Sequence, residues 1–228
     1  MRIDVHVVRV FTSKNGQYGS PAGVIIDEGS HISPQERQSI ATQLGFSETV
    51  FVNRKSPAKV SIYGLQNEVN FAGAPLLGTA WLLSKQQGSL IEEITCNDKQ
   101  IKVLEEDTLT WIIVDDLVGT PPWHHEQLKT YQEVEALSVD DEPYKEHTYA
   151  WAWVDSSPRI ARVRARTFAP DWDIPEEEAN GSGSMQLAHK LGRNLEIIHG
   201  KGSLIRASVG STGIAIGGWV KEDPKITI

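Results

Sequence analysis

The chain has a single cysteine, Cys96, among its 228 residues. No disulfide can form within it, a reducing compartment is its natural home, and a racemase working with two thiol bases is excluded. Basic residues are also scarce. Only 22 Lys and Arg stand against 30 Asp and Glu, for a formal net charge of −8, so the basic face that a nucleic-acid partner demands is not expected. No apolar run approaches the roughly 18 residues needed to cross a bilayer. The opening Met1-Arg2-Ile3-Asp4-Val5-His6-Val7 alternates like a strand and lacks the apolar core of a signal peptide. Together these absences predict a cytoplasmic protein with no nucleic-acid or membrane partner. An anionic small molecule stays open as a ligand, because a pocket can be locally positive on an acidic protein.

Charged residues at 23% and hydrophobic residues at 39% are ordinary for a globular chain. The plainest helix starts at Ser33-Pro34-Gln35-Glu36, where Ser33 caps, Pro34 suits the first turn and Glu36 closes a capping box; Gly45 ends it. Thr130 to Glu133 repeats the capping logic. Two further helices are predicted after the small-residue turns Gly73-Ala74-Pro75 and Asn180-Gly181-Ser182. Short strands are predicted over Ile3–Phe11, Gly23–Ile26, Thr49–Val52, Lys59–Tyr63, Glu68–Phe71, Leu109–Val114, Thr148–Val154, Arg162–Phe168, Leu195–His199 and Gly213–Val220. Strands outnumber single, interspersed helices, so the expected class is mixed α/β rather than a regular βαβ alternation. Gly119-Thr120-Pro121-Pro122 marks a crossover between two halves. The division expected is 1–117 and 118–212, with a last strand at about 213–228 that rejoins the first lobe.

Several residues invite chemistry. A helix start presents unpaired N–H groups and a positive dipole end, and small entering residues let an anion approach closely. The turns at Gly73 and Gly181 could therefore grip a carboxylate between them, although tight strand-to-helix connections are commoner. Glu48, in Gly45-Phe46-Ser47-Glu48-Thr49-Val50-Phe51, stands at the mouth of an apolar strand. Burial there would raise its pKa and suit it to proton transfer, whereas a surface glutamate is the commoner case. One of Glu176, Glu177 and Glu178 could lie beside Glu48 and couple to it, or all three could simply favour the following helix dipole. Arg162, Arg164 and Arg166 share one strand face, expected to be a solvated outer face. His124-His125-Glu126 lacks helical metal-ligand spacing, and His199-Gly200-Lys201-Gly202-Ser203 lacks the glycine of a phosphate loop. No metal site is expected.

Taken in order, these strings resemble the PhzF-like family, in particular its shorter members. Phe11 with Gly19-Ser20-Pro21-Ala22-Gly23-Val24 is similar to the family's "F…GNPAGV". Ile40-Ala41 through Ser47-Glu48-Thr49-Val50-Phe51-Val52 is similar to "IA…SETvFv", and Glu68 to Ala80 to "ElpFAGHPtlGTA". Arg166-Thr167-Phe168-Ala169-Pro170 with Glu176–Ser182 resembles "RmFaP…EDpaTGSA", and His199-Gly200-Lys201-Gly202-Ser203 resembles "QGxGS".

The resemblance implies a diaminopimelate-epimerase-like fold: two similar lobes, each a curved sheet or barrel around a central helix, with the site in the cleft. It also implies a homodimer, no cofactor, and an isomerase or epimerase that moves a proton on a small carboxylate. Glu48 and Glu177 fall at the catalytic positions; Gly73, Ala74, Asn180, Gly181, Ser182 and His199 fall where substrate is held. Four positions depart from the family. Its "GH" is Gly73-Ala74, its "ED" is Glu176-Glu177, its threonine is Asn180, and the "QG" glutamine is His199. These departures leave a second expectation, a non-catalytic ligand-binding or regulatory protein that keeps the cleft.

Overall fold

Short strands carry most of the chain, which a computed structural model describes over residues 2–140 and 146–228. The strands are β1 (Asp4–Thr12), β2 (Ser20–Ile26), β3 (Glu48–Lys55), β4 (Ala58–Gly64), β5 (Glu68–Val69), β6 (Glu93–Cys96), β7 (Lys99–Glu106) and β8 (Leu109–Val114). They continue as β9 (His124–Gln127), β10 (Thr148–Asp155), β11 (Ala161–Ala169), β12 (Ile174–Glu177), β13 (Leu195–His199), β14 (Ser203–Gly210) and β15 (Gly213–Thr227). The helices are α1 (Pro34–Leu44), α2 (Gly73–Gln87), α3 (Tyr131–Ala136) and α4 (Gly181–Leu191).

Eight strands close on themselves in the order β1, β2, β3, β4, β6, β7, β8, β15, since β15 pairs with β8 near its start and with β1 towards its end. Helix α2 lies inside this ring and touches strands all around it, so its residues from Gly73 to Ala80 are all buried. Beyond β15 the sheet continues through β14, β13, β11, β10 and β9, with β12 beside β11. Helix α4 packs against β14 and β15. A single apolar cluster runs from Val10 through Leu77 to Met185 and Ile197, so both halves share one core.

Local chemistry explains the ends. Ser33 Oγ accepts from Glu36 N at 3.3 Å while Ser33 N donates to Glu36 at 2.9 Å, forming the capping box; Gly45 ends α1 at φ 70°. In β15, a Cβ on Gly217 would overlap the Trp111 ring and one on Gly218 would overlap Phe11. Two glycines thus let large aromatic groups lie across the strand that joins the barrel to the rest of the sheet.

Several expectations need correcting. Strands β6, β7, β9, β12 and β14 were not foreseen. β7 buries only Ile101 and Val103 and leaves Leu104 exposed, and β14 turns the small residues Ser203 and Ala207 inward with Ile205, so neither shows a strong apolar alternation. The arginine face of β11 is not simply solvated. Arg162 is exposed beside Glu196, but Arg164 is 5% exposed and serves Glu135 and the carbonyls of Ala165, Ile198 and Gly200. Arg166 holds Glu176 in a two-point pair at 2.7 and 2.8 Å and caps α3 carbonyls. Unpaired carbonyls at a helix end provide partners that the sequence pattern does not display.

Replacing Gly217 with alanine puts a methyl group into the Trp111 ring, and overpacking of this kind costs about 1–3 kcal/mol. A lower urea midpoint with an unchanged denaturant slope is the expected result for Gly217→Ala.

Candidate functional site

Helices α2 and α4 begin against each other. A Cβ on Gly181 would lie 3.3 Å from Ala74 N, and one on Gly73 would lie 3.8 Å from the Gly181 carbonyl carbon. A side chain at Gly181 would be crowded there, whereas one at Gly73 would meet only ordinary contacts. The α2 start follows Ala72, whose side chain makes no capping bond. At α4 the cap is Asn180, whose Oδ1 accepts from Gly183 N at 2.6 Å. Its Nδ2 is then turned towards Glu177 and donates to Oε2 at 2.6 Å. One amide therefore caps a helix and holds a carboxyl group.

A cavity of about 330 Å³ opens at this junction. Glu48, Gly73, Ala74, Glu177, Asn180, Gly181 and Ser182 all line it. Glu48 arrives on the first residue of β3, opposite Gly64 of β4, and Glu177 on the last residue of β12, opposite Thr167 of β11. His199 is the exception. It does not line the cavity: its ring is wholly buried, with Nε2 2.8 Å from Thr167 Oγ1 and Nδ1 3.0 Å from the Glu178 carbonyl. The His-Gly string placed it correctly along the chain but could not show that the ring faces inward.

Phe71 belonged to a predicted strand, but Trp123, Trp172 and Ile174 had no sequence signal. Phe71, Trp123, Trp172 and Ile174 give the cavity an apolar wall. Trp123 Nε1 donates to Ser182 Oγ at 2.8 Å, and its ring meets Trp172 edge-on at 5.0 Å. Trp172 in turn stacks on His147, 4.7 Å between centroids, while His147 pairs with Asp171. An isolated Trp after a Pro-Pro pair offers no periodic pattern to read. At the mouth, Gln66 Nε2 donates to Asp173 Oδ2 at 2.6 Å, joining two loops 107 residues apart.

Glu48 keeps an edge open to the cavity, yet dense packing around its carboxyl removes water and raises its pKa to about 7. Burial lifts Glu177 to about 8, the charge of Glu48 adds to the rise, and the Asn180 bond opposes it. Repulsion between two carboxylates is mutual, so the two titrate as a pair. Such a pair can hold a proton at neutral pH and give or take it.

The sign of the resulting pH dependence can be derived. Above pH 4.5 both groups bind more protons in the folded than in the unfolded chain, so stability falls as pH rises through about 7 and 8. Buried His125 and His199 act oppositely. Their pKa values are lowered from 6.5 to about 4 and about 3, mainly by burial, so they add stability as pH rises through 6.5 and little beyond about a unit above it. The carboxyl pair therefore dominates between about pH 7 and 8, where stability falls as pH rises. Urea unfolding across that interval should show the drop in wild type and a much flatter profile in the Glu48→Gln, Glu177→Gln double variant.

Residues 8–109 match the family described as phenazine biosynthesis-like protein. A trans-2,3-dihydro-3-hydroxyanthranilate isomerase of Pseudomonas chlororaphis is 24% identical over 217 residues, covering 80% of this chain and 78% of that protein. The crystal structure of the Bacillus anthracis phenazine biosynthesis protein of the PhzF family superposes with a TM-score of 0.81 at 15% identity, over 100% of this chain and 99% of the other. A hydroxyproline epimerase from Agrobacterium vitis superposes with a TM-score of 0.58 at 12% identity, over 100% and 92%. With its closed barrel, its few helices and these neighbours, the chain has the diaminopimelate-epimerase-like fold and is similar to PhzF-like proteins.

Proposed function

We propose that this protein is a cofactor-independent isomerase or epimerase that moves a proton on a small carboxylate. The observation that carries the reading is the placement of Glu48 and Glu177, both with raised pKa, in one cavity where two helix starts meet. The carboxylate of the substrate would accept from the first N–H groups of α2 and α4 at Gly73, Ala74, Gly181 and Ser182. Glu48 would take the proton and return it, and Glu177 would share or tune it. The apolar wall of Phe71, Trp123 and Trp172 would exclude water and cover the body of the substrate. A homodimer and a cytoplasmic location belong to the same reading and rest on the family resemblance.

Ala74 supports the second reading, a binding protein without chemistry, because its methyl group cannot position a proton. Deuterium uptake separates the two. The protein would be incubated in D₂O with trans-2,3-dihydro-3-hydroxyanthranilate and common amino acids, and label read by mass spectrometry. Label gained with wild type and lost with Glu48→Gln is expected. Equal label with both proteins removes Glu48 from the reaction, and thermal stabilisation by a carboxylate that gains no label favours the binding protein.

The anion grip has its own test. A Cβ on Gly181 would crowd Ala74 N at 3.3 Å and Ile216 at 3.1 Å, covering donors that each contribute about 1–3 kcal/mol to a charged acceptor. Gly181→Ala should weaken binding of anthranilate by about tenfold or more in calorimetry while leaving the protein folded.

A further inference from the structure

The turn that begins at His199 lies behind the cavity and is tied to the strand that carries Glu177. We propose that His199 is a positioning residue for Glu177, acting through Thr167 and Glu178 without touching the ligand. The proposal rests on the reading of Glu177 as a proton-handling group.

Three neighbouring strands carry the connection. Glu177 of β12 stands opposite Thr167 of β11, and His199 of β13 stands opposite Ala165, two residues along β11 from Thr167. Residues two apart on a strand share a face, so the imidazole reaches Thr167 Oγ1 at 2.8 Å. Its other nitrogen is 3.0 Å from the Glu178 carbonyl. A carbonyl can only accept, which places the proton on Nδ1 and leaves Nε2 to accept from the threonine hydroxyl. The ring thereby ties β11 and the residue after β12 together.

Glu178 is fixed at its other end as well. Its carboxylate accepts from Lys201 N at 3.2 Å and from Ser203 Oγ at 2.7 Å, and Ser203 Oγ in turn accepts from Gly19 N at 2.9 Å. Gly200, at φ 53°, packs so closely on Glu178 that any Cβ would overlap its carbonyl. The residue between Glu177 and the start of the Asn180 cap is thus held at carbonyl and carboxylate alike, which leaves Glu177 little freedom beside the cavity.

Arg164 and Arg166 from β11, Tyr149 from β10 and Glu178 act on His199, and Glu177 stands across from its partner Thr167. Burial first, and the two arginines after it, keep the ring neutral at working pH. Its influence is therefore geometric: it carries no charge that could titrate with the carboxyl pair.

Carboxyl-¹³C glutamate labelling of the full chain, with the Glu48 and Glu177 signals assigned through Glu48→Gln and Glu177→Gln, reads the pair without turnover. In His199→Gln the side-chain amide can donate to Glu178 O and its oxygen can accept from Thr167, so the titration should match wild type. His199→Phe keeps the bulk and removes both bonds, and Thr167→Val removes one. In both, water reaching a loosened Glu177 should move the titration down towards the ordinary carboxylate range. Deuterium uptake by trans-2,3-dihydro-3-hydroxyanthranilate should fall by about tenfold or more in His199→Phe, as misplacement of a reacting group does.

A titration unchanged in folded His199→Phe overturns the proposal, and so does a glutamine variant that behaves like phenylalanine. Should His199→Phe fail to fold, Thr167→Val decides alone: a lowered titration supports the proposal and an unchanged one overturns it. A titration that moves while no carboxylate gains label with wild type leaves His199 as a positioning residue and removes the isomerase reading instead.

Discussion

Two helix starts that face each other set the terms for the rest of this molecule. Each carries a partial positive charge and N–H groups with no partner inside the helix, so their approach is unfavourable without an acceptor between them. α2 has no side-chain cap, and Asn180 satisfies Gly183 N alone at the start of α4. The barrel supplies the restraint. α2 is enclosed by the closed ring of strands, and α4 is packed on β14 and β15. Because β15 belongs both to the barrel and to the rest of the sheet, it fixes one helix relative to the other, and its Ile216 lies under both starts. Phe11 braces the same junction at φ 63°, a backbone conformation uncommon for a bulky residue. Strain and unpaired donors thus meet where the carboxyl pair is found.

The carboxyl pair sits under opposing influences. Positive helix ends and the Asn180 amide favour ionised glutamates, whereas removal of water and mutual repulsion favour protonated ones. Desolvation is the larger effect at both residues. An exposed carboxyl is ionised throughout the neutral range and has no proton to give. One lifted far above neutrality stays protonated and cannot take a proton. Burial alone raises Glu48, whereas at Glu177 burial and the Glu48 charge are partly offset by the short Asn180 bond.

Much of this arrangement was legible in the chain. Ser33 and Glu36 announced α1 through a local capping rule, and Gly73 and Gly181 marked helix starts because small residues at strand-to-helix turns have few other uses. The Ser47-Glu48-Thr49 segment led to the glutamate that now lines the cavity. What escaped depends on contacts between distant residues. Trp123 gains its place through Ser182, 59 positions away. Arg164 looks like a surface residue until the carbonyls of Ile198 and Gly200 surround it. His199 belonged to a recognisable string, but whether its ring faced cavity or core was decided by Thr167 and the Glu178 carbonyl.

Ala74 shows how far backbone chemistry can replace side chains. The N–H of residue 74 belongs to the helix start, so that donor survives whatever side chain the position carries, provided it is not blocked by its neighbour Gly181. What an alanine cannot do is hold or relay a proton. Among the described residues lining the cavity, Glu48 and Glu177 are the only side chains that titrate, and none is basic. A carboxylate ligand would then find its positive partners in peptide groups alone, and a doubly ionised glutamate pair would repel it. In the proposed reaction the productive state must therefore be one in which the pair retains a proton when the ligand enters. A singly protonated pair, with the proton on Glu177, leaves Glu48 free to take the substrate's proton, so ligand entry and the readiness of the base are set by a single titration.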